Sequence, residues 1–207
     1  MSRETVRTAV SRLSNLGLVT PFRGVGTIVR DTSPTPLAYV PTQPARTWAQ
    51  QTGQPDDTDR VVQTGWQAAD PAIADALQLT PGTRVLHRIR HASIGPRVAQ
   101  IHEQWLPTTV SDAIHRATGT DLGSIATQPA GNVFQQMRDA GINPVEVTEI
   151  VTARMPHADE TDILELAPGI PVIILHRVTR DPEGKPVETC VITAAADRRS
   201  WTYTVPL

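Results

Sequence analysis

The 207-residue sequence predicts an α+β fold, an antiparallel sheet with helices packed on it, preceded by one helix and a β-hairpin. Three observations lead there. Short β-rich runs alternate with helix-length segments after residue 46. Two pairs of runs are joined by hairpin turns, Ile94-Gly95-Pro96 and Asp181-Pro182-Glu183-Gly184. A nine-residue pattern occurs twice, LQLTPGTRV from Leu77 and LELAPGIPV from Leu164, with Leu, Leu, Pro, Gly and Val shared at an offset of 87, and Arg90 meets Arg177 at the same offset. Each copy reads helix, Pro-Gly turn, strand, hairpin, strand, so the second part of the chain is expected to be an internal duplication.

The first element is a helix opened by Ser2, a good N-cap, with Val6, Ala9, Val10, Leu13 and Leu16 drawing one apolar stripe and Gly17 closing it. Arg3 and Arg7 lie one turn apart on another face. Two short β-runs, 18–22 and 27–30, then flank Arg23-Gly24-Val25-Gly26, a turn that suits a hairpin. Residues 31–46 are rich in proline and lack apolar periodicity, the composition of a stiff, extended linker, and a domain boundary is placed there. Beyond it, strands are predicted at Arg60–Trp66, Arg84–Ala92, Val98–Trp105, Val145–Ala153, Val172–Arg180, Val187–Ala194 and Trp201–Val205. Helices are predicted at Pro71–Leu79, Val110–Thr118, Asn132–Ala140 and Ala158–Leu166.

Charge is unevenly spread. Residues 1–30 hold five arginines against one glutamate, a net of +4, which leaves −6 for the rest of a chain whose total is −2. That balance argues against a generally basic nucleic-acid coat and for a local one. A single cysteine, Cys190, excludes an internal disulfide framework. No apolar run approaches a membrane span or a signal sequence, so a cytoplasmic protein is expected.

Arg88 and Arg90 alternate on one strand, so both side chains emerge on one face, where they either converge on an anion or form a solvated face. His87 and His91 share the other face without a third ligand at a metal-binding spacing, so neither a metal nor a cofactor is expected. Cys190 sits in an apolar strand and reads as a small buried hydrophobe. Nucleophile elbow, P-loop and C-x-x-C motifs are absent, and no catalytic residue is assigned.

Residue order adds to this. Ser2-Arg3-x-Thr5-Val6-Arg7, then Leu13-x-x-Leu16-Gly17-Leu18-Val19, then Arg23-Gly24-x-Gly26-Thr27-x-Val29 resembles the recognition helix and wing of the GntR family of bacterial winged-helix regulators. The resemblance implies that Ser2, Arg3, Thr5 and Arg7 contact DNA from the recognition helix, and that Arg23, Gly24, Gly26 and Thr27 do so from the wing. The first helix and the scaffold helix of that domain have no counterpart, so the chain is expected to be an N-terminally shortened member whose specific DNA binding needs those helices.

From Thr47 to Leu207, the duplicated Leu-x-Leu-x-Pro-Gly, Trp105-Leu106-Pro107, Ala153-Arg154-Met155-Pro156 and Gly184-x-Pro186-Val187-Glu188 resemble the UTRA effector-binding domain of the HutC subfamily. That resemblance implies a chorismate lyase-like sheet with the ligand held between its two halves. Arg88, Arg90 and Thr47 would line the effector cleft, with Asn132 at a helix start replacing the serine of sugar-phosphate-binding members. Glu188 and Tyr203 match positions that face the ligand or the sheet interior, Glu188 alternatively pairing with Arg177. His102 stands where many relatives have a ligand-facing Glu.

The domains expected are thus 1–30, a partial winged helix; 31–46, a linker; and 47–207, a UTRA domain. The function expected is a non-enzymatic, ligand-responsive transcriptional regulator, a repressor. As a homodimer it would bind a palindromic operator and respond to a small anionic effector. Two rivals remain: a lyase-like enzyme using Arg88, Arg90 and Glu188, and a DNA-independent small-molecule sensor.

Overall fold

Six strands form one antiparallel sheet whose order is symmetric about its centre, and the duplicated sequence accounts for that symmetry. The computed structural model describes residues 2–16, 18–22, 24–29, 35–39, 58–127 and 133–203. In chain order the sheet strands are β4 (Thr58–Ala68), β5 (Arg84–Ile94), β6 (Arg97–Pro107), β7 (Glu146–Arg154), β8 (Val172–Arg180) and β9 (Pro186–Ala195). Across the sheet they run β4-β5-β6-β9-β8-β7. Each half is an edge strand plus a hairpin, and the halves meet where β6 pairs with β9. Arg90 lies opposite His102 in the first hairpin and Arg177 opposite Cys190 in the second.

The repeat is visible in the backbone as well. Helices α2 (Pro71–Ala76) and α5 (Ala158–Ile163) end alike. Leu79 N–H donates to the Ala74 carbonyl and Gln78 N–H to Asp75, while Leu166 and Glu165 do the same to Thr161 and Asp162. This Schellman closure requires a left-handed residue after the cap. Gln78 and Glu165, at φ 54° and 47°, occupy it.

α2 and α5 cover one face of the sheet. Ala74 and Leu77 pack there on Val85 and Trp105, and Leu164, Leu166 and Ile170 on Ile101, Val172 and Ile174. α3 (Thr108–Thr118) and α4 (Val133–Asp139) cover one end of the opposite face, where Val110, Ile114, Val133 and Met137 enclose Leu86 and Leu106. Each such fully buried aliphatic side chain contributes roughly 1.5–3 kcal/mol relative to exposure. The remainder of that second face combines an apolar cluster of Leu175, Cys190 and Ile192 with a group of polar side chains.

α1 (Arg3–Asn15) begins where expected, with Ser2 Oγ accepting from Thr5 N–H at 3.1 Å. It closes through Leu18 N–H on the Leu13 carbonyl; Gly17 lies outside the described residues. Its stripe is only partly covered, Val6 and Leu13 being 46% and 39% exposed. β1 (Val19–Phe22) and β2 (Gly26–Val29) form the hairpin, with Gly24 and Gly26 at φ 81° and 119°, backbone that a side chain would strain.

Two elements differ from expectation. Within the proline-rich segment, β3 (Thr35–Tyr39) pairs in parallel with β10 (Arg199–Tyr203), because proline is tolerated in a strand whose N–H need not enter the ladder. The last strand therefore starts two residues earlier than predicted, and residues 204–207 lie outside the described ones. The predicted helices also end short of Leu79, Ala140 and Leu166, since the final residues of each periodic run form the closing turn.

Candidate functional site

Strand alternation and register bring four of the predicted effector residues, Arg88, Arg90, His102 and Glu188, onto the polar part of the second sheet face. Arg88 and Arg90 of β5 lie opposite Gln104 and His102 of β6, and Gln104 lies opposite Cys190 of β9, which lies opposite Arg177 of β8. Residues directly opposite one another share a face, and along each strand every second residue points to that same side. That side is not solvated: Arg88 is 4% exposed, Glu188 2% and His102 8%.

Burial at these values demands partners, and the side chains supply them. Arg88 Nη1 donates to Gln104 Oε1 at 2.8 Å. Gln104 Nε2 donates in turn to Glu188 Oε1, and Thr179 Oγ1 donates to Glu188 Oε2 at 2.8 Å. One hydrogen-bonded chain thus crosses four strands, from the Arg88 guanidinium through Gln104 and the Glu188 carboxylate to the Thr179 hydroxyl. Glu188 does not pair with Arg177, which binds Glu149 on the edge strand at 2.6 Å.

A second chain runs beside the first. Asp59 Oδ2 lies 3.3 Å from Arg90 Nη2, which is 2.8 Å from His102 Nδ1. His102 Nε2 is 2.8 Å from Gln100 Oε1. An arginine can only donate, so Nδ1 accepts and the ring proton sits on Nε2, where it is given to Gln100. The imidazole is therefore neutral. Burial first, then the positive charge of Arg90, holds its pKa well below the ordinary histidine value.

Burial is also the larger reason that Arg88 falls to about 10, with repulsion from Arg90 next. It remains charged at neutral pH. Arg88 and Arg90 thus hold neighbouring same-face positions of one strand, with Arg90 and Asp59 the more accessible members of the group at 14% and 24% side-chain exposure.

Other predicted residues are placed as follows. Thr47 and Asn132 lie outside the described residues, and Tyr203 is described only as the last residue of β10. Burial pushes the Cys190 thiol up to about 12, in keeping with an inert hydrophobe. On the opposite face His87 stacks on Trp105 with ring centroids 4.9 Å apart. Among the described residues, no group of three His, Cys, Asp or Glu side chains is arranged to hold a metal. In the N-terminal part, Ser2, Arg3, Thr5 and Arg7 are exposed at the start of α1, and Gly24, Gly26 and Thr27 at the hairpin. Ser2 and Thr5 hydroxyls bond each other at 2.8 Å. Arg23 lies outside the described residues.

Sequence reasoning missed Gln100, Gln104, Thr179, Asp59 and Glu149. The alternation Gln100-x-His102-x-Gln104 is a usable signal, because three polar side chains on one face of a central strand must be mutually satisfied. Asp59 carries no such signal. It reaches Arg90 diagonally across the β4–β5 ladder, from the position opposite Ala92, a register that sequence does not mark.

The comparisons with known proteins agree with this architecture. Residues 58–200 match the UTRA domain family. An uncharacterized HTH-type transcriptional regulator of Streptomyces coelicolor is 32% identical over 98% of this chain and 78% of its own length. The HTH-type transcriptional regulator GgaR of Escherichia coli K12 is 29% identical over 95% of this chain and 73% of its own. A crystal structure assigned to the GntR family superimposes with a TM-score of 0.70 at 26% identity, covering all of this chain and 83% of that one. PhnF of Mycobacterium smegmatis shares the fold with a TM-score of 0.70 at 21% identity, covering all of this chain and 86% of that one. With recognition helix, hairpin and duplicated sheet in the order those relatives have, the chain belongs to the UTRA-containing, HutC-type branch of the GntR family of transcriptional regulators.

Proposed function

We propose that this chain is a cytoplasmic, ligand-responsive repressor that binds a palindromic operator as a homodimer and is governed by a small anionic metabolite. The observation that carries the ligand class is the Arg88–Arg90 pair on the polar sheet face. Two nearby guanidiniums repel and are desolvated; Asp59 supplies a carboxylate to Arg90 at 3.3 Å, and Arg88 is linked to Glu188 through Gln104. An anion offsets both costs. Thr47, Asn132 and Tyr203 are further proposed contacts, with His102 and Glu188 fixing the two arginines from behind.

For DNA, Arg3 and Arg7 at the start of α1 supply base and phosphate contacts, with Ser2 and Thr5 beside them and Arg23, Gly24, Gly26 and Thr27 on the wing. Both arginines are exposed and one turn apart. Effector binding shifts occupancy between an operator-matched and an unmatched dimer by its differential affinity for the two.

The test is a thermal-shift screen of anionic and neutral metabolites on the 207-residue chain. A ligand at about a hundred times its Kd adds roughly 2.7 kcal/mol to stability. The best anion should lose its shift in Arg88→Ala and Arg90→Ala. A neutral ligand, or an anion whose shift survives both changes, removes the pair from the site.

A further inference from the structure

The duplicated turn occurs twice, and its second copy bears on the recognition helix. There the loop from Leu164 to Pro171 is gripped at both ends by the corner between β9 and β10. Arg198 of that corner donates from Nη2 to the Leu164 carbonyl and, at 3.2 Å, to the Glu165 carbonyl, just where a helix end leaves its last acceptors without partners of their own. Its Nη1 donates to the Val98 carbonyl of β6 at 2.7 Å. At the far end of the loop, Ala196 N–H donates to the Pro171 carbonyl at 3.3 Å. The apex between these two holds, Pro168-Gly169, meets α1. A Cβ on Gly169 would lie 2.5 Å from the Asn15 carbonyl oxygen, and Pro168 lines one cleft with Val10, Ser14 and Asn15 of α1 and Pro21 of β1. In the first copy Gly82 has the same φ of +85°, yet an added Cβ meets nothing within 4 Å.

The same corner belongs to the effector side. Arg198 is followed by Arg199, the first residue of β10, and successive residues of an extended chain face opposite ways. Arg199 is 1% exposed, and its charge bears on His102, whose Nδ1 lies 2.8 Å from Arg90 Nη2 in the cleft. β10 then runs on to Tyr203.

We propose that this corner, through Arg198, transmits the state of the effector cleft to the recognition helix by setting the position of the Pro168-Gly169 apex against Asn15. The proposal deepens the effector-responsive reading above and rests on it. Arg198 acts on α1 through the loop, as a positioning residue. Its side chain is 12% exposed, and one guanidinium serves carbonyls of β6 and of the α5 turn together. A shift of β10 that draws Arg198 with it must therefore carry the loop along or leave part-buried carbonyls unpaired, and an unmade bond of that kind is the costlier outcome. Packed elements joined in this way move as units rather than deform.

The freedom of α1 in the 207-residue chain tests this, read by the anisotropy decay of a fluorophore on Thr8→Cys, an exposed position of the helix. Cys190 is buried and stays unlabelled. With the loop in place, the probe is expected to show a slow component from tumbling with the whole molecule. Arg198→Ala is expected to remove most of that component, whereas Leu106→Ala, which loosens the core under α3 and α4 and leaves the clamp intact, does not change it. Arg198→Lys keeps the charge but gathers its donors on one nitrogen, and is expected to lose part of the component. Arg90→Ala, a change inside the cleft, is expected to alter the slow component while Arg198 is present and to have no effect in Arg198→Ala. A slow component that survives Arg198→Ala, or that falls equally in Leu106→Ala, overturns the clamp. Should Arg198→Ala fail to fold, an undiminished component in Arg198→Lys overturns it. An Arg90→Ala response that is absent, or the same in both backgrounds, overturns the link to the cleft. No effector is added, so each of these failures leaves the anionic-ligand reading standing, and that reading falls to the thermal-shift screen instead.

Discussion

At the scale of single residues, the neutral His102 ring is the group most sensitive to conditions. It is buried, held by Arg90 and Gln100, and exposed to the charges of Arg90, Arg177, Arg199 and His91. Its folded pKa lies below its unfolded one, near 6.5. The stability it contributes is complete above that value and is lost as pH falls from 6.5 toward the folded pKa. His91, lowered by burial alone, adds a smaller effect of the same sign. Urea unfolding of the 207-residue chain should therefore show stability falling below pH 6.5 with a slope approaching about 1.4 kcal/mol per pH unit. His102→Gln, which can still accept from Arg90 and donate to Gln100, should flatten that slope. An unchanged slope in the variant would locate the titrating group elsewhere. Glu160 acts at lower pH. Its hydrogen bonds to Arg154 hold its pKa down, so its contribution is present above the ordinary carboxylate range and disappears as acid protonates it.

At the scale of elements, the two copies of the Leu-x-Leu-x-Pro-Gly turn provide an internal control. Gln78 and Glu165 hold left-handed backbone that costs a side chain roughly 1–2 kcal/mol, partly returned by glycine's greater unfolded-state entropy. Gln78→Gly and Glu165→Gly should each raise stability, by up to about 1 kcal/mol in chemical denaturation. Further along each turn, Gly82 and Gly169 share φ +85°, yet their surroundings differ. A Cβ on Gly82 meets nothing within 4 Å, while one on Gly169 would lie 2.5 Å from the Asn15 carbonyl oxygen at the end of α1. Gly82→Ala should cost only the backbone strain, about 1–2 kcal/mol. Gly169→Ala should cost more, or should displace α1, which a fluorophore on that helix would register. Equal costs and an unmoved helix would show that the turn does not bear on α1. The contrast also identifies where the effector domain touches the recognition helix.

At the scale of the whole molecule, the ladder between β6 and β9 makes one cooperative body of the duplicated halves. Leu106 belongs to the core under α3 and α4, and Leu164 to the core under α5. Both are fully buried, so Leu106→Ala and Leu164→Ala should each cost about 2–5 kcal/mol. Both should shift a single calorimetric transition; two transitions would mean that the halves unfold separately. Among the described residues no helix is long and apolar enough to cross a membrane.

Sequence alone determined what depends on near neighbours. Ser2 as an N-cap, the glycine-bearing hairpin at 24–26 and the alternation of β5 are set by residues a few positions apart, where backbone geometry leaves few choices, and the repeat at offset 87 is read by aligning the chain with itself. The α+β class and the family followed from their order. The tertiary structure decided the partners. Gln104 reaches Glu188 across 84 residues, Glu188 takes Thr179 rather than Arg177, and Asp59 finds Arg90 diagonally across the β4–β5 ladder. It also turned part of a proline-rich segment into a parallel strand beside β10. Such pairings depend on strand order and register, which are fixed by the burial of both sheet faces together. A one-residue slip in any strand would send the same side chains to the other side, so no local pattern can specify them.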